Sequence, residues 1–408
     1  MGLSIRWPWR RKADDSWSVL REFLQQYQAK SGVAVNHMTA LRAVTALACA
    51  RVISEGLAQV PLKVYRSLPD GGREVAKDHP LHDVLARQPN DWQTSYEWRE
   101  QAGMHMVFAG NAIAYIARNE SLRISKPELL PYSPADVRIE REGMAIQYKL
   151  RTGDAKWTSV PASEILHLRG PSWDGWRGLD GVGLAREAIG LSLSTEEHGA
   201  RLFKNGAMPG GLIYSDGSVP LTPEQHTRLR ESWQETHGGS DNAHKTAILW
   251  GGLKWMSTAQ QNDQAQFLET RAFQVEEVCR AFRVLPTMVG HSDKAATYAS
   301  AEQMFLAHVV HTMGPWYARV EQACDAQLLT EEERADGYYT KFTVAGLLRG
   351  AHKDRADYYA KALGSGGSPA WMTQDEVRGL EELNPMGGNA ATLPKPTNVG
   401  GGAPEGDD

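Results

Sequence analysis

Along the first part of the chain the apolar pattern switches between a helical and an alternating period. From Thr39 the positions Leu41, Val44, Leu47, Ala48, Ile53 and Leu57 recur at three- and four-residue steps, and Pro61 follows. That spacing predicts a helix ending before the proline. Leu62-Lys63-Val64-Tyr65 then alternates and meets Asp70-Gly71-Gly72, the pattern of a strand entering a hairpin turn. A second helix is predicted over 95–109. Gly110-Asn111 opens a strand through Ala112–Ala117 into a polar turn at Asn119-Glu120, and short strands follow at 137–139, 146–150 and 165–168. Residues 39–170 read as a mixed domain rich in short strands.

Beyond a flexible junction at Gly178–Gly183 the elements lengthen. A helix is predicted from Leu184 to Asn205, where Asn205-Gly206 supplies a C-terminal stop. A compact insert with the plan β-α-β-β comes next: a strand at 211–214, a helix after Thr222-Pro223 running to about Thr236, and strands at 246–250 and 253–257. A second long helix is predicted from about Asp263 to Arg283, with Leu268, Val275 and Phe282 one heptad apart and Glu276 four residues before Arg280. The two long helices are expected to stand side by side. Leu285–Tyr298 holds proline, glycine and mixed polar residues and reads as a loop.

Ser300 and Gln303 form a capping-box pattern at the start of the next helix. It carries Leu306, Val310, Met313, Tyr317, Val320, Cys324 and Leu328 on one stripe, so it is expected to pack along most of its length. Pro315 lies in its middle, where a missing backbone donor and a steric clash predict a kink. Helices also fit residues 344–363 and 374–383, the latter opened by a Thr373–Glu376 capping box. Residues 1–38, with Trp7-Pro8-Trp9-Arg10-Arg11-Lys12 near their start, read as a mobile arm. From Met386 onward the Gly-, Pro-, Asn- and Thr-rich sequence reads as a disordered tail.

With 408 residues, 41% hydrophobic and 23% charged, the chain is long enough for two or three packed units of ordinary globular balance. It has no apolar run of membrane-spanning length and no apolar leader, so it is expected to be made in the cytoplasm, away from membranes. Cys49, Cys279 and Cys324 each fall in an apolar helical pattern and read as core thiols. A formal net charge of −5 argues against tight general DNA binding, which draws on clustered Lys and Arg, but permits a wall past which DNA slides.

Gly239 to Thr246 approaches a phosphate-binding loop, yet His244 stands where glycine is needed and the stretch precedes a strand instead of following one. A polar turn is the better reading. His308 and His311 lie three apart on a helix without a third ligand at typical spacing, and His79 and His82 sit in a Pro-containing polar stretch without a catalytic carboxylate pattern. No cofactor, metal or catalytic residue is expected. The alternatives are an adaptor or tail component without a channel, and a metal-dependent nucleic-acid enzyme.

Several stretches occur in a telling order: Ala43 through Val60-Pro61-Leu62, His79-Pro80-Leu81 with Pro89-Asn90, Gly110-Asn111-Ala112, and Phe203-Lys204-Asn205-Gly206-Ala207-Met208-Pro209-Gly210-Gly211. Gln266–Arg271, Val278–Pro286, Ala301-Glu302-Gln303 and Glu376-Val377-Arg378 follow. In this order and spacing, from about residue 39 to 388, the chain resembles the HK97-like phage portal family. One departure is Phe282-Arg283-Val284-Leu285-Pro286, where the family usually carries glycine after the phenylalanine. The end of that helix is therefore expected to differ locally, although Arg283 suits the helix dipole there.

The resemblance implies an α+β portal fold: a flexible arm 1–38, a wing over 39–183, stem helices 184–206 and 263–284, and a clip at 207–262. A tunnel loop at 285–298, a long kinked wing helix and strand at 299–342, helices at 343–385 and a tail at 386–408 complete it. It implies a dodecameric ring at one capsid vertex of the virion, assembled in the host cytoplasm, that nucleates the procapsid and conducts DNA during packaging and ejection. The implied partners are other copies of the chain, the terminase large subunit, the major capsid protein or scaffold, a head–tail adaptor, and weakly held, non-specific double-stranded DNA. On this reading the tunnel loop offers Thr287, His291, Ser292, Asp293, Lys294 and Thr297, and Lys294 either approaches phosphates or is merely exposed. The clip offers Arg228, Arg230, Glu231, Glu235, Asp241 and Lys245 as a mixed-charge docking face or an ordinary solvated one. Phe203, Asn205, Gly206, Pro209, Pro286 and Pro315 are structural landmarks.

Overall fold

The computed structural model of the chain describes residues 28–69, 72–118, 126–153, 156–204, 211–215, 222–237, 253–257, 263–291, 298–344, 352–365, 369–381 and 383–393. The chain divides into two compact units, Met1–Phe342 and Thr343–Asp408. The first begins with Gln28 bridged to Ala34, and with Ala29 and Val35 buried, so the end of the expected arm is packed. Helix α1 (His37–Ala40) follows, fixed by a reciprocal capping box between Asn36 and Thr39.

Helix α2 (Val44–Gln59) buries Ala46, Cys49, Ala50, Ile53, Ser54, Gly56, Leu57 and Ala58. Those positions make one broad face that needs several neighbours, while Val44, Arg51 and Gln59 on the opposite side are exposed. Strand β1 (Leu62–Ser67) leads out of it and pairs antiparallel with β2 (Arg73–Val75). The His79-Pro80 stretch, read from sequence as polar chain, starts helix α3 (Pro80–Ala86). The His79 ring accepts the Leu81 N–H at 3.2 Å, and Pro80 occupies the first turn, where a missing donor costs nothing. Helix α4 (Ser95–Ala109) opens on a Thr94–Glu97 capping box and packs along α2. Gly103 permits that approach, because a Cβ there would lie 2.7 Å from the Ser54 Cα. Inside the pair, Arg99 is buried and donates to Ala58 O at 2.7 Å and Leu85 O at 3.1 Å, in the last turns of α2 and α3. Helix dipoles favour a positive charge at those ends. Burial lowers its pKa to about 10, which still leaves it charged at neutral pH.

Strands β3 (Asn111–Ala117), β4 (Glu128–Tyr132), β5 (Val137–Glu142), β6 (Ala145–Arg151), β7 (Trp157–Val160) and β8 (Ile165–Arg169) form two three-stranded antiparallel sheets, ordered β4-β3-β8 and β5-β6-β7. Ile113, Tyr148, Leu150 and Ile165 form a core between them. Strands β4 and β7 were not among those expected, and β4 contains Pro131. The proline is tolerated because β4 is an edge strand with no further ladder to feed.

A buried polar network closes this region. His167 is 1% exposed, with Nε2 3.0 Å from Asn111 Oδ1 and Nδ1 3.0 Å from the Tyr148 hydroxyl. Asn111 Oδ1 also accepts the Gly178 N–H at 2.7 Å, so Nε2 carries the proton and Tyr148 donates to Nδ1. The junction at 178–183, expected to be flexible, is instead tightly packed. Gly110 has φ 74°, and a Cβ on Gly178 would fall on the Gly110 carbonyl oxygen. These glycines serve close backbone approach, not freedom of movement.

Helices α5 (Gly181–Leu184) and α6 (Arg186–Lys204), strand β9 (Gly211–Ser215), helix α7 (Pro223–His237), strand β10 (Leu253–Ser257) and helix α8 (Asp263–Phe282) follow. Next come α9 (Tyr298–Ala307), a π-helical segment (His308–Met313), α10 (Gly314–Gln327), α11 (Glu331–Ala335) and β11 (Tyr338–Phe342). Strand β11 completes the order β11-β1-β2. Glu321 Oε1 accepts the Phe342 N–H at 2.8 Å and Asp325 Oδ1 accepts the Thr340 N–H at 2.6 Å, so two carboxylates one turn apart on α10 hold that strand.

In the second unit, α12 (His352–Ala362) falls within the helix expected over 344–363, of which residues 345–351 lie outside the described ones, and α13 (Gln374–Leu380) opens on the expected capping box of Thr373 and Glu376. Asp375 accepts the N–H groups of Met386 and Gly387 at 2.7 and 2.8 Å, and Ala390 is buried. The expected disordered tail is therefore structured as far as Leu393.

Burial, aided by nearby Arg169, pushes His167 down to about 3 from 6.5, and burial with the His37 charge pushes His105 down to about 4. Each ring stays neutral in the folded state while its unfolded counterpart takes up a proton below pH 6.5. Stability is therefore unaffected above about 6.5 and falls as pH drops from there toward 4, by about 1.4 kcal/mol per pH unit for each group. His37, raised chiefly by its hydrogen bond to Asp180, is protonated in both states in that window and does not contribute to the slope. Urea midpoints measured across the window will fall for the natural chain, and His167→Gln will make that fall shallower.

Candidate functional site: paired helices, their insert and the segment that follows

The two long helices meet as the sequence predicts. Gln274 of α8, 4% exposed, donates to Thr195 Oγ1 of α6 at 2.9 Å. A buried amide needs such a partner, and this one fixes the register of the pair. At its C-terminal end α8 also packs on α4 and α2: the Phe282 and Phe108 rings meet edge to face at 6.1 Å, and Cys279 lies 3.7 Å from Cys49. Its outer positions are apolar and open, with Leu268 68% and Phe273 57% exposed, as is Leu191 of α6 at 46%.

Between the long helices, β9 and β10 pair antiparallel with Gly211 opposite Ser257 and Ser215 opposite Leu253. Arg228, Arg230, Glu231 and Glu235 are all exposed on α7. Asp241, Lys245, the expected strand at 246–250 and the Gly239–Thr246 stretch lie outside the described residues, as do Asn205, Gly206 and Pro209. Phe203 falls in the last turn of α6, which ends at Lys204.

The end of α8 keeps the geometry that a glycine would give. Val284 N–H bonds to Cys279 O at 2.9 Å and Arg283 N–H to Arg280 O at 3.1 Å, the two bonds of a Schellman motif. Arg283 fills the left-handed position with φ 56°, alone among the described non-glycine residues. The local difference expected from the sequence is thus strain at one residue, not a different helix end. Thr312 donates to the Arg283 carbonyl at 3.0 Å and supports it. Pro286 then starts a 3-10 turn, Pro286–Val289, that holds Thr287, and the His291 N–H closes back on Pro286 O at 3.0 Å. Ser292, Asp293, Lys294 and Thr297 lie outside the described residues.

The helix after this segment departs most from its sequence reading. It is already helical at Tyr298, ahead of Ser300, and its middle is the π segment, where Gly314 N–H reaches Val309 O. Pro315 stands in the first turn of α10, just beyond. The break expected at the proline is thus taken up by one wide turn before it. That turn rotates the apolar face: Met313, Tyr317, Val320 and Cys324 are buried, whereas Phe305, Leu306 and Val310 are 38%, 50% and 51% exposed. The single stripe read from Leu306 to Leu328 is buried only from Met313 onward. His308 is buried and His311 exposed, so the pair does not converge, and the described residues hold no group of three His, Cys, Asp or Glu able to hold a metal. No described helix is long and apolar enough to cross a membrane.

The sequence from α2 through α13, residues 44–382, matches the family described as phage portal protein. The chain belongs to the phage portal protein family, and is of the HK97 type. It is 28% identical over 361 residues to the portal protein of Enterobacteria phage HK97, covering 88% of this chain and 83% of that one. It is 29% identical over 374 residues to the probable portal protein of Streptomyces phage phiC31, covering 88% and 78%. Among solved structures, an HK97-family portal protein from Corynebacterium diphtheriae has a TM-score of 0.57 at 17% identity, covering 76% of this chain and 96% of that one. A chain from the neck of an empty gene transfer agent particle has a TM-score of 0.59 at 23% identity, covering 86% and 94%. These likenesses show the portal fold. The family is a structural one.

Strain at Arg283 gives a direct test of the helix-end geometry. Replacing Arg283 with Gly removes a left-handed penalty and is expected to raise stability by about 1 kcal/mol, read from the urea midpoint. Arg283→Val is expected to lower it by at least as much.

Proposed function

We propose that this chain is the subunit of a closed dodecameric ring at one vertex of a phage capsid, through which double-stranded DNA is packaged and ejected. The observation that carries the reading is the family match from residue 44 to 382, which takes in both long helices, their insert and the segment between α8 and α9. The exposed apolar residues support it. A ring needs two different, complementary faces on each subunit. Leu191, Leu268 and Phe273 on the paired helices and Phe305, Leu306 and Val310 on α9 and the π segment are candidates for those faces. Gene transfer agent necks, whose solved forms include one computed with C12 symmetry, share the fold and favour twelve copies.

On this reading α6 and α8 are the stem and β9–α7–β10 the clip. The clip docks the terminase large subunit during packaging and the head–tail adaptor afterwards, and Arg228, Arg230, Glu231 and Glu235 offer it a face of mixed charge. The wing contacts the major capsid protein or scaffold. The ring forms in the host cytoplasm and stays in the virion. DNA passes without being gripped, in keeping with a net charge of −5, and Lys294 in the sequence between α8 and α9 is the phosphate contact we favour. The chain binds no cofactor and hydrolyses nothing, because the packaging motor is the terminase.

The test is assembly. A Leu268→Glu, Phe273→Glu double variant is expected to keep the helical circular dichroism of the natural chain but to sediment as a monomer, whereas the natural chain sediments as a large ring. A variant that assembles like the natural chain would remove these residues from the interface.

A further inference from the structure

Two of the three cysteines in the chain meet inside it. Cys49 on α2 and Cys279 on α8 are 230 positions apart in sequence, both 0% exposed, with their sulfurs 3.7 Å apart. Neither is oxidised in this structure. We propose that Cys49 and Cys279 are a redox site that closes into a disulfide tying α2 to the base of α8.

The geometry favours closure. A disulfide needs sulfurs about 2.0 Å apart, so the gap to close is less than the reach of a small side-chain rotation on each helix. The surroundings also divide the roles. The Cys49 S–H donates to the Cys279 sulfur, which favours a thiolate at Cys279 and pushes the Cys49 thiol up. Cys279 is therefore the thiol oxidised first, its sulfur attacking the peroxide. With hydrogen peroxide as oxidant, its thiolate takes one oxygen to become a sulfenic acid and one water leaves. The Cys49 thiol then attacks that sulfur, an S–S bond forms and a second water leaves, so two thiols and one peroxide yield one disulfide and two waters. Access to the buried pair comes through local opening of the helices.

The position gives the bond a consequence. Cys279 lies in the last turn of α8 and its carbonyl anchors the Schellman motif before the 3-10 turn at Pro286–Val289. A link there fixes the end of α8, from which the segment toward α9 departs, to α2, whose broad buried face packs on several neighbours. The closed loop is long, the case in which a cross-link most restricts the unfolded chain.

The full chain, folded and reduced, would be treated with hydrogen peroxide, quenched, alkylated with N-ethylmaleimide under denaturing conditions and digested without reductant for mass spectrometry. Cys324, fully buried and its thiol pushed up by burial, is the internal control. The expected result is a linked pair of peptides containing Cys49 and Cys279, two hydrogens lighter than their sum and reversed by dithiothreitol, with Cys324 alkylated. The thermal midpoint should rise by at least roughly 5 °C on oxidation and return on reduction. Cys279→Ser should abolish both changes. Free Cys49 and Cys279 after treatment, links only between chains, or a link without a shift in midpoint would each overturn the proposal, and none requires a variant to fold.

Discussion

Helix α2 buries a broad face running from Ala46 to Ala58, and the arrangement of the first unit follows from the need to cover it. So wide a buried face needs more than one partner. It has α4 against Ser54 through Gly103, α8 through the Cys49–Cys279 contact, and the π segment through Met313 packed on Gly56. The Tyr317 hydroxyl of α10 reaches the Gly56 carbonyl at 2.9 Å. The buried Arg99 closes the C-terminal ends of α2 and α3 together. Through these contacts the strand-rich region and the paired long helices share one core, so a change at the base of α8 is felt by α2.

The polar core does complementary work on the sheet side. Asn111, Tyr148 and His167 satisfy one another, and Gln327 of α10 accepts the His167 N–H at 2.7 Å. Every donor in that chain needs its particular acceptor, so the network sets a single register between β3, β8 and α10 where an apolar core alone would tolerate several.

Much of this was legible in the sequence. The long helices, the insert between them and the capping box at Thr373 belong to local patterns, in which the residues that define the element also terminate it. What could not be read depends on contacts distant along the chain. Gly178 and Gly181 look like a flexible joint until the backbone of Gly110 is placed against Gly178. Val310 and Met313 look like one stripe until a π turn rotates one outward and the other inward, a shift no period count reveals. His79 and Pro80 carried the signal of a helix start, a capping side chain and a proline in the first turn, but the short α3 gave too few apolar positions to register as periodic. At the candidate site, α7 and the paired helices were placed by pattern alone. The roles of their exposed residues rest on family resemblance, because a charge on a solvated face has the same local signature whether or not a partner docks there.

The account stands or falls on whether copies of this chain close on one another. Electron images of the purified protein, averaged without imposed symmetry, decide it most directly. The account predicts rings with a central hole wide enough for a DNA duplex, about twelve subunits around, in line with closure by two complementary faces. A population that stays monomeric or dimeric at high concentration would contradict it.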